Sequence, residues 1–166
     1  MERNWMEVKV MGIVVDPKAS NPVVVLVDLN GQRALPIWIG VFEAEAISRG
    51  LQDAVTLRPM THDLMKQILD AFRVTLNQVV INEIRGNTFY AKLHLDVEGK
   101  EMIVDSRPSD AIALAVRVKA PIYVAASVIE ASKDLGIVAS QLINENDDLK
   151  SVIENMKPED FGKYRM

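Results

Sequence analysis

Two carboxylates flank an arginine within one short stretch of the chain, at Asp105, Arg107 and Asp110. Carboxylate oxygens are the ligands that Mg²⁺ and Mn²⁺ prefer, and a guanidinium group can bind a phosphate through two parallel hydrogen bonds. Asp105 and Asp110 are therefore candidate metal ligands, Asp110 is also a candidate catalytic residue, and Arg107 is a candidate phosphate-binding residue. A structural role is the alternative. Ser106 or Ser109 can cap a helix, Asp110 can stabilise its dipole, and Arg107 can pair with an acid.

A second stretch places a histidine beside an acid, His62 and Asp63, shortly after Arg58. Histidine is the usual general base near neutral pH. We expect His62 and Asp63 to be catalytic residues and Arg58 to bind phosphate. In the alternative interpretation Thr61 is the N-cap of a helix, Asp63 stabilises the first turn, and His62 is a surface residue at the first helical position.

Four further residues have side chains that could take part in catalysis or binding, but we interpret them as structural. Glu43 and Glu45 are two residues apart on a predicted helix and do not share a face, so they cannot form a metal pair on their own. We expect Glu43 to stabilise the helix dipole. Trp38 lies in an apolar strand and is expected in the core, whereas His94 lies on the polar side of a strand and is expected to be exposed.

The helix starts that carry the acids follow β-rich stretches in two similar parts of the sequence. A shift of 67 positions aligns Glu43 with Asp110 and Ala46 with Ala113. Alternating and β-branched runs predict strands, and apolar spacing of three and four residues predicts helices. The predicted strands are 7–15, 23–29, 33–39, 79–84, 89–97, 101–105 and 121–125. The predicted helices are 41–51, 62–72 with Thr61 as its N-cap, 108–118 and 128–135. Asn30-Gly31 predicts a tight hairpin turn with positive φ at both residues.

This order of elements predicts an α+β fold. In that fold a duplicated β-β-β-α unit forms a mostly antiparallel sheet packed with helices. Residues 1–126 are predicted to form this core, and residues 127–166 a C-terminal helical appendage and tail with an apolar stripe between Leu142 and Met156. The appendage can cover the core or pack on another subunit. Because strand-rich units have edges to cover and the stripe is apolar, we expect a homodimer or a higher homo-oligomer.

Composition limits the classes of function. The absence of cysteine excludes disulfides, thiolate metal sites and a cysteine nucleophile. The net charge is −4 and no Lys/Arg cluster is present, which disfavours strong non-specific binding to nucleic acid but leaves room for a small phosphate pocket. Neither a signal peptide nor an apolar run of membrane-spanning length is recognisable. We therefore expect a cytoplasmic protein without a membrane partner.

Three blocks of the sequence resemble the signature blocks of the bifunctional nuclease family, a domain family of bacteria and plants. The blocks are Leu35-Pro-Ile-Trp-Ile-Gly-Val-Phe-Glu-Ala-x-Ala-Ile47, Arg58-Pro-x-Thr-His-Asp-Leu64 and Val104-Asp-Ser-Arg-Pro-Ser-Asp-Ala-Ile-Ala-Leu114. The resemblance covers roughly residues 7–130. It implies a compact α+β domain and the cleavage of both DNA and RNA.

Two functions follow from these observations. The first is a nuclease acting on DNA and RNA, assisted by Mg²⁺ or Mn²⁺. The second is a non-catalytic homo-oligomeric binding or assembly module, because the sequence has no Gly-rich phosphate loop, nucleophile elbow or zinc-protease motif. A single exposed cleft holding the candidate residues would favour the enzyme. Arg58 and Arg107 buried in ion pairs away from any pocket would favour the module.

Overall fold

The computed structural model describes residues 4–16 and 20–134. Within them, seven strands and four helices follow in the order β1-β2-β3-α1-α2-β4-β5-β6-α3-β7-α4. The strands are β1 (Trp5–Val15), β2 (Pro22–Asp28), β3 (Ala34–Trp38), β4 (Val74–Arg85), β5 (Thr88–Val97), β6 (Lys100–Ser106) and β7 (Ile122–Ala125). The helices are α1 (Val41–Leu51), α2 (Thr61–Ala71), α3 (Pro108–Val118) and α4 (Ala126–Asp134). The predicted α+β fold is confirmed.

The strands form one mixed sheet in the order β3-β2-β1-β7-β4-β5-β6. Five of the six neighbouring pairs are antiparallel, and only β4 and β7 run parallel. Strands β1–β3 and strands β4–β6 are therefore two antiparallel meanders, and β7 joins them along the middle of the sheet. Each meander leads into a helix, α1 or α3, but the duplication itself stays a prediction.

Strand alternation explains which side of the sheet the helices cover. Val24 and Leu26 of β2 share one core cluster with apolar side chains from all four helices. Their neighbours Val23, Val25 and Val27 belong to a separate buried cluster. Because side chains alternate between the two faces of a strand, the helices lie on one face and the second cluster lies on the other.

Helix α3 is the central helix, as its apolar sequence predicts. Seven of its residues are buried, and it packs against α1, α2 and strands β4 and β5. Gly50 of α1 makes the contact with α3 close, since a Cβ atom at this position would lie 2.5 Å from Val116 Cγ2. The absence of a side chain at Gly50 therefore sets the distance between the two helices.

Two predictions from local sequence patterns are wrong. Asn30-Gly31 does not form a two-residue turn, because only Gly31 has a positive φ and β3 begins at Ala34. The loop is instead held by the Asp28 carboxylate, which accepts hydrogen bonds from the backbone N–H groups of Gln32 and Arg33. Strand β4 also begins at Val74, five residues before the predicted start, since pairing with β5 extends it.

Only the first part of the predicted C-terminal appendage lies within the described residues. Helix α4 is described, and its Val128 and Ile129 join the main core cluster. The rest of the predicted appendage, including the stripe from Leu142 to Met156, lies outside the described residues, so the domain boundary after residue 126 stays a prediction. The helices of the described part have nine to eleven residues, and none is long and apolar enough to cross a membrane. The cytoplasmic location stays a prediction.

Candidate active site

The first turns of α1, α2 and α3 meet at one point of the molecule. Strands β3 and β6 occupy opposite edges of the sheet, yet each leads almost directly into a helix. A hydrogen bond joins these two helix starts, from Arg107 Nη1 to Glu43 Oε1 at 3.1 Å. Helices α1 and α3 pack against each other on the same face of the sheet. This packing gathers polar side chains that are far apart in the sequence.

A histidine–aspartate pair lies at the centre of this cluster. The Nε2 atom of His62 in α2 is 3.0 Å from Asp110 Oδ1 in α3, and His62 is only 8% exposed. The alternative interpretation of His62 as a surface residue is therefore wrong, because α3 covers its ring. His62 and Asp110, two of the candidate catalytic residues, therefore lie together, and their catalytic roles stay predictions.

Arg107 holds the Asp110 carboxylate from the other side. Its Nε donates to Asp110 Oδ2 at 2.7 Å and its Nη2 donates to Oδ1 at 3.1 Å. Burial raises the pKa of Asp110, but the hydrogen bonds from Arg107 and the contact with His62 outweigh burial and leave that pKa below its usual value. Asp110 is therefore an anion at neutral pH. The hydrogen bond to Asp110 also raises the pKa of Arg107, which stays a cation.

Arg107 has two N–H donors that its hydrogen bonds to Asp110 and Glu43 do not use. A guanidinium group has five N–H donors, and hydrogen bonds to Asp110 and Glu43 use three of them. The side chain is 65% exposed. It is thus paired with acids, as the module hypothesis expects, but it also faces solvent in a cleft, as the enzyme hypothesis expects.

Asp63 faces a different partner. Its Oδ1 accepts a hydrogen bond from Arg117 Nε at 2.6 Å, and its Oδ2 accepts one from the backbone N–H of Met60 at 2.9 Å. The hydrogen bond from Arg117 lowers the pKa of Asp63. Both carboxylate oxygens of Asp63 are therefore engaged in structure. Met60, in extended conformation, is the N-cap of α2, so the expected N-cap Thr61 is instead the first helical residue.

Arg117 is the residue that the sequence did not reveal as important. Its Nη1 donates to the backbone carbonyls of Ala46 and Ala113, both at 2.8 Å. Its side chain is only 7% exposed. Arg117 thus ties α1, α2 and α3 together behind the His62–Asp110 pair. The available signal was a single cation near the end of the mostly apolar helix that begins at Pro108.

The cluster opens into a cleft of about 320 Å³ between the three helices. The lining combines charged and apolar side chains, among them Phe42, Glu43, Arg49, Met60, His62, Arg107 and Asp110. A second hollow of about 270 Å³ lies on the other side of Glu43 and Arg107, toward the end of β3. Phe42, in the first turn of α1, is 84% exposed.

Two of the predicted site residues lie apart from the cleft. Arg58 is exposed in the loop before α2 and does not line the cleft. Asp105 pairs in register with Lys92, while its neighbour Val104 pairs with the core residue Leu93. Asp105 therefore lies on the face of the sheet opposite to the helices. The roles of Arg58 in phosphate binding and of Asp105 in metal binding stay predictions.

The carboxylates of the cleft do not form a ready set of metal ligands. The oxygens of Asp110 are held by His62 and Arg107, and Asp105 is on the other face of the sheet. Over residues 4–16 and 20–134, no group of three or more His, Asp and Glu side chains is placed to hold a metal ion. This donor set does not fit a resident Mg²⁺ or Mn²⁺ ion, and the expected cofactor stays a prediction.

The structural interpretations of five other residues have mixed outcomes. Neither Ser106 nor Ser109 caps α3, because the N-cap residue is Arg107 and no side chain provides the cap. His94 is 3% exposed rather than open to solvent, since its ring packs edge-on against Trp5 at 5.5 Å and its Nδ1 is 2.8 Å from Glu101 Oε1.

Trp38 is likewise not in the core. It is 40% exposed, and its Nε1 donates to Asp16 Oδ2 at 2.8 Å. The strand pattern cannot show that this end of β3 is left uncovered, because that depends on where the helices lie. Glu43 does lie in the first turn of α1, as expected, and additionally binds Arg107.

Comparison with known proteins gives one consistent result. The family model described as "Bifunctional nuclease domain" matches residues 24–135. A Mycobacterium tuberculosis protein named as uncharacterized is 36% identical over 162 residues, which cover 93% of this chain and 97% of the relative, and the same values hold in a second strain. A protein of Oryza sativa subsp. japonica named Bifunctional nuclease 2 is 28% identical over 114 residues, which cover 66% of this chain and 35% of the rice protein. The region matched by the family model includes α1, α2 and α3 and thus the whole cleft.

Proposed function

The chain belongs to the bifunctional nuclease domain family, and from this premise we propose that it hydrolyses phosphodiester bonds of DNA and RNA in the cleft between α1, α2 and α3. The observation that carries the proposal is the His62–Asp110 pair, which lies beside the exposed guanidinium of Arg107. A general base can activate the attacking nucleophile, and a cationic ligand can stabilise the charge that develops on the phosphate, so both groups favour hydrolysis of a phosphodiester. The name of the rice relative supports the same reaction class.

His62 is the proposed general base. When Nε2 carries the proton that it donates to Asp110, the other ring nitrogen, Nδ1, has a free lone pair. The ionised Asp110 then fixes the ring and stabilises the positive charge that forms on proton uptake. His62 takes the proton of an attacking water, or of the 2′-hydroxyl in RNA, and the imidazolium can return it to the leaving oxygen.

Arg107 is the proposed phosphate ligand. Its two unused N–H donors lie on Nη1 and Nη2, since one donor of each group is already engaged. Two neighbouring N–H groups match the spacing of two phosphate oxygens. A phosphate bound there would share Arg107 with Asp110, and His62 contacts the same Asp110 oxygen, Oδ1, as Arg107 Nη2 does. No step of this mechanism is routed through a metal ion, because the donor set does not fit one.

The proposal is tested with full-length purified protein on single-stranded DNA, double-stranded DNA and RNA, each with EDTA, Mg²⁺ or Mn²⁺. Asp110→Asn keeps the size of the side chain but removes the charge that orients His62, and we expect it to lower kcat at least tenfold. Asp70→Asn changes an exposed aspartate on the outer side of α2 and is the matched control. Cleavage that is equal in both variants and in the wild type would contradict the proposed site.

A non-catalytic assembly module is the second candidate. Two observations favour it: Arg107 is already engaged by two acids, and several large apolar side chains near the cleft are exposed. An assembly module does not require catalysis. A folded protein that cleaves none of the substrates under any of the three metal conditions would leave it as the better account.

A further inference from the structure

Helix α2 presents an apolar surface that nothing in the described part of the chain covers. Its inner residues Met65 and Leu69 pack on the core. Its outer residues recur every fourth position and form a row along the helix, which the preceding loop extends. We call this surface the α2 patch; it comprises Val55, Leu57, Met60, Leu64, Ile68 and Phe72.

The size of the α2 patch matches what a stable interface needs. Val55 and Leu57 are almost fully exposed, Phe72 is three-quarters exposed, and the other three side chains are about half exposed. With about 200 Å² for a fully exposed Phe and about 100 Å² for an aliphatic side chain, the patch exposes about 500 Å² of apolar surface. An interface of standard size buries about 800 Å² per partner, of which somewhat more than half is apolar.

We propose that the α2 patch is the interface of a homodimer and that a second copy of this chain is its occupant. The patch itself contains no charged residue, so two copies can face each other without repulsion, as a two-fold interface demands. The residues around it carry both signs, with the cations Arg58, Lys66 and Arg73 and the exposed acids Asp53 and Asp70. Such a mixed rim complements itself when it is rotated by 180°.

Other occupants fit less well. An anionic membrane would require a cationic rim around the apolar residues, whereas the exposed acids Asp53 and Asp70 are part of this one. A nucleic-acid backbone would require several cations among the apolar residues, whereas the loop part of this surface has one, Arg58, between Leu57 and Met60.

The interface also borders the cleft, because Met60 belongs both to the patch and to the cleft lining. The second copy would therefore lie at the mouth of the cleft, beside Phe42. This placement holds whether or not the cleft is catalytic.

The test is sedimentation velocity on the full-length protein between about 1 and 100 µM. We expect a dimer for the wild type and at least a 100-fold weaker dissociation constant for Ile68→Glu, since each dimer would bury two glutamates. Leu57→Glu is the second variant, because its fully exposed loop position leaves the monomer fold intact. Val15→Glu, at an exposed apolar residue on β1 outside the patch, is the matched control and should remain dimeric.

A wild-type protein that stays monomeric over the whole range would overturn the proposal. A dimer that survives both Ile68→Glu and Leu57→Glu would also overturn it, because the second copy would then sit elsewhere. Circular dichroism of each variant confirms that a loss of the dimer is not a loss of the fold.

Discussion

Replacing Asp63 by alanine should destabilise the protein although it leaves the His62–Asp110 pair untouched. The Arg117 guanidinium is buried among three acceptors, of which Asp63 is the only anion. Asp63→Ala removes that anion and leaves a buried cation with two carbonyl partners. It also removes the acceptor for the Met60 N–H at the start of α2.

The size of the effect follows from these two losses. Breaking a buried ion pair by removing one partner costs about 3–5 kcal/mol, but Asp63 is 29% exposed, so water screens part of its charge. The lost cap adds about 1 kcal/mol. We expect the free energy of unfolding to fall by about 3 kcal/mol, which lowers Tm by about 6–12 °C for a domain of this size.

The effect should depend on pH in one direction. Because the pKa of Asp63 is lower in the folded protein than the ordinary value of about 3.9 in the unfolded chain, its contribution is complete above that value. It is lost as the pH falls through the folded pKa. The difference in stability between the wild type and Asp63→Ala should therefore be constant near neutral pH and shrink below about pH 4.

Urea denaturation followed by circular dichroism measures this difference. Asp70→Ala is the control in the same helix, because Asp70 forms an exposed pair with Lys66 at 3.4 Å and should cost no more than about 0.5 kcal/mol. Equal losses for Asp63→Ala and Asp70→Ala would refute the role given to Arg117.

Three further outcomes follow from the structure. Arg107→Ala should reduce kcat/KM on a nucleic-acid substrate by about 10- to 100-fold, mainly through KM, because it removes a charge-assisted phosphate contact; steady-state kinetics on a labelled oligonucleotide would show this. Gly50→Ala should lower the free energy of unfolding by about 1–2 kcal/mol, measured by urea denaturation, because the new methyl group would clash with Val116. His94→Ala should cost about 2–3 kcal/mol in the same measurement by opening a cavity, while cleavage rates on DNA and RNA stay unchanged because His94 lies outside the cleft.

Local signals in the sequence were sufficient for most elements. The valine run of β2 and the apolar helix after Pro108 need only strand pairing and a first-turn proline to be recognised, and both form as predicted. The acids at helix starts were also predicted correctly, since the preference of Glu43 and Asp110 for the first turn is a property of the helix itself.

The parts that could not be predicted depend on which elements pack together. Whether His94 is buried is decided by Trp5, which lies on a strand 89 positions earlier in the numbering. The pairing of Arg117 with Asp63 requires α2 and α3 to cross at one particular position. Likewise, β7 lies between β1 and β4 in the sheet. A local sequence pattern predicts a strand but not its neighbours in the sheet.

The measurement that tests the central claim most directly is the single-turnover cleavage rate of highly purified wild type, His62→Gln and His94→Gln on the same oligonucleotides. The account predicts a rate at least 100-fold lower for His62→Gln and an unchanged rate for His94→Gln, with both variants folded by circular dichroism. Equal cleavage by His62→Gln and the wild type, or no cleavage by the wild type above background, would contradict the claim that this cleft is a nuclease site.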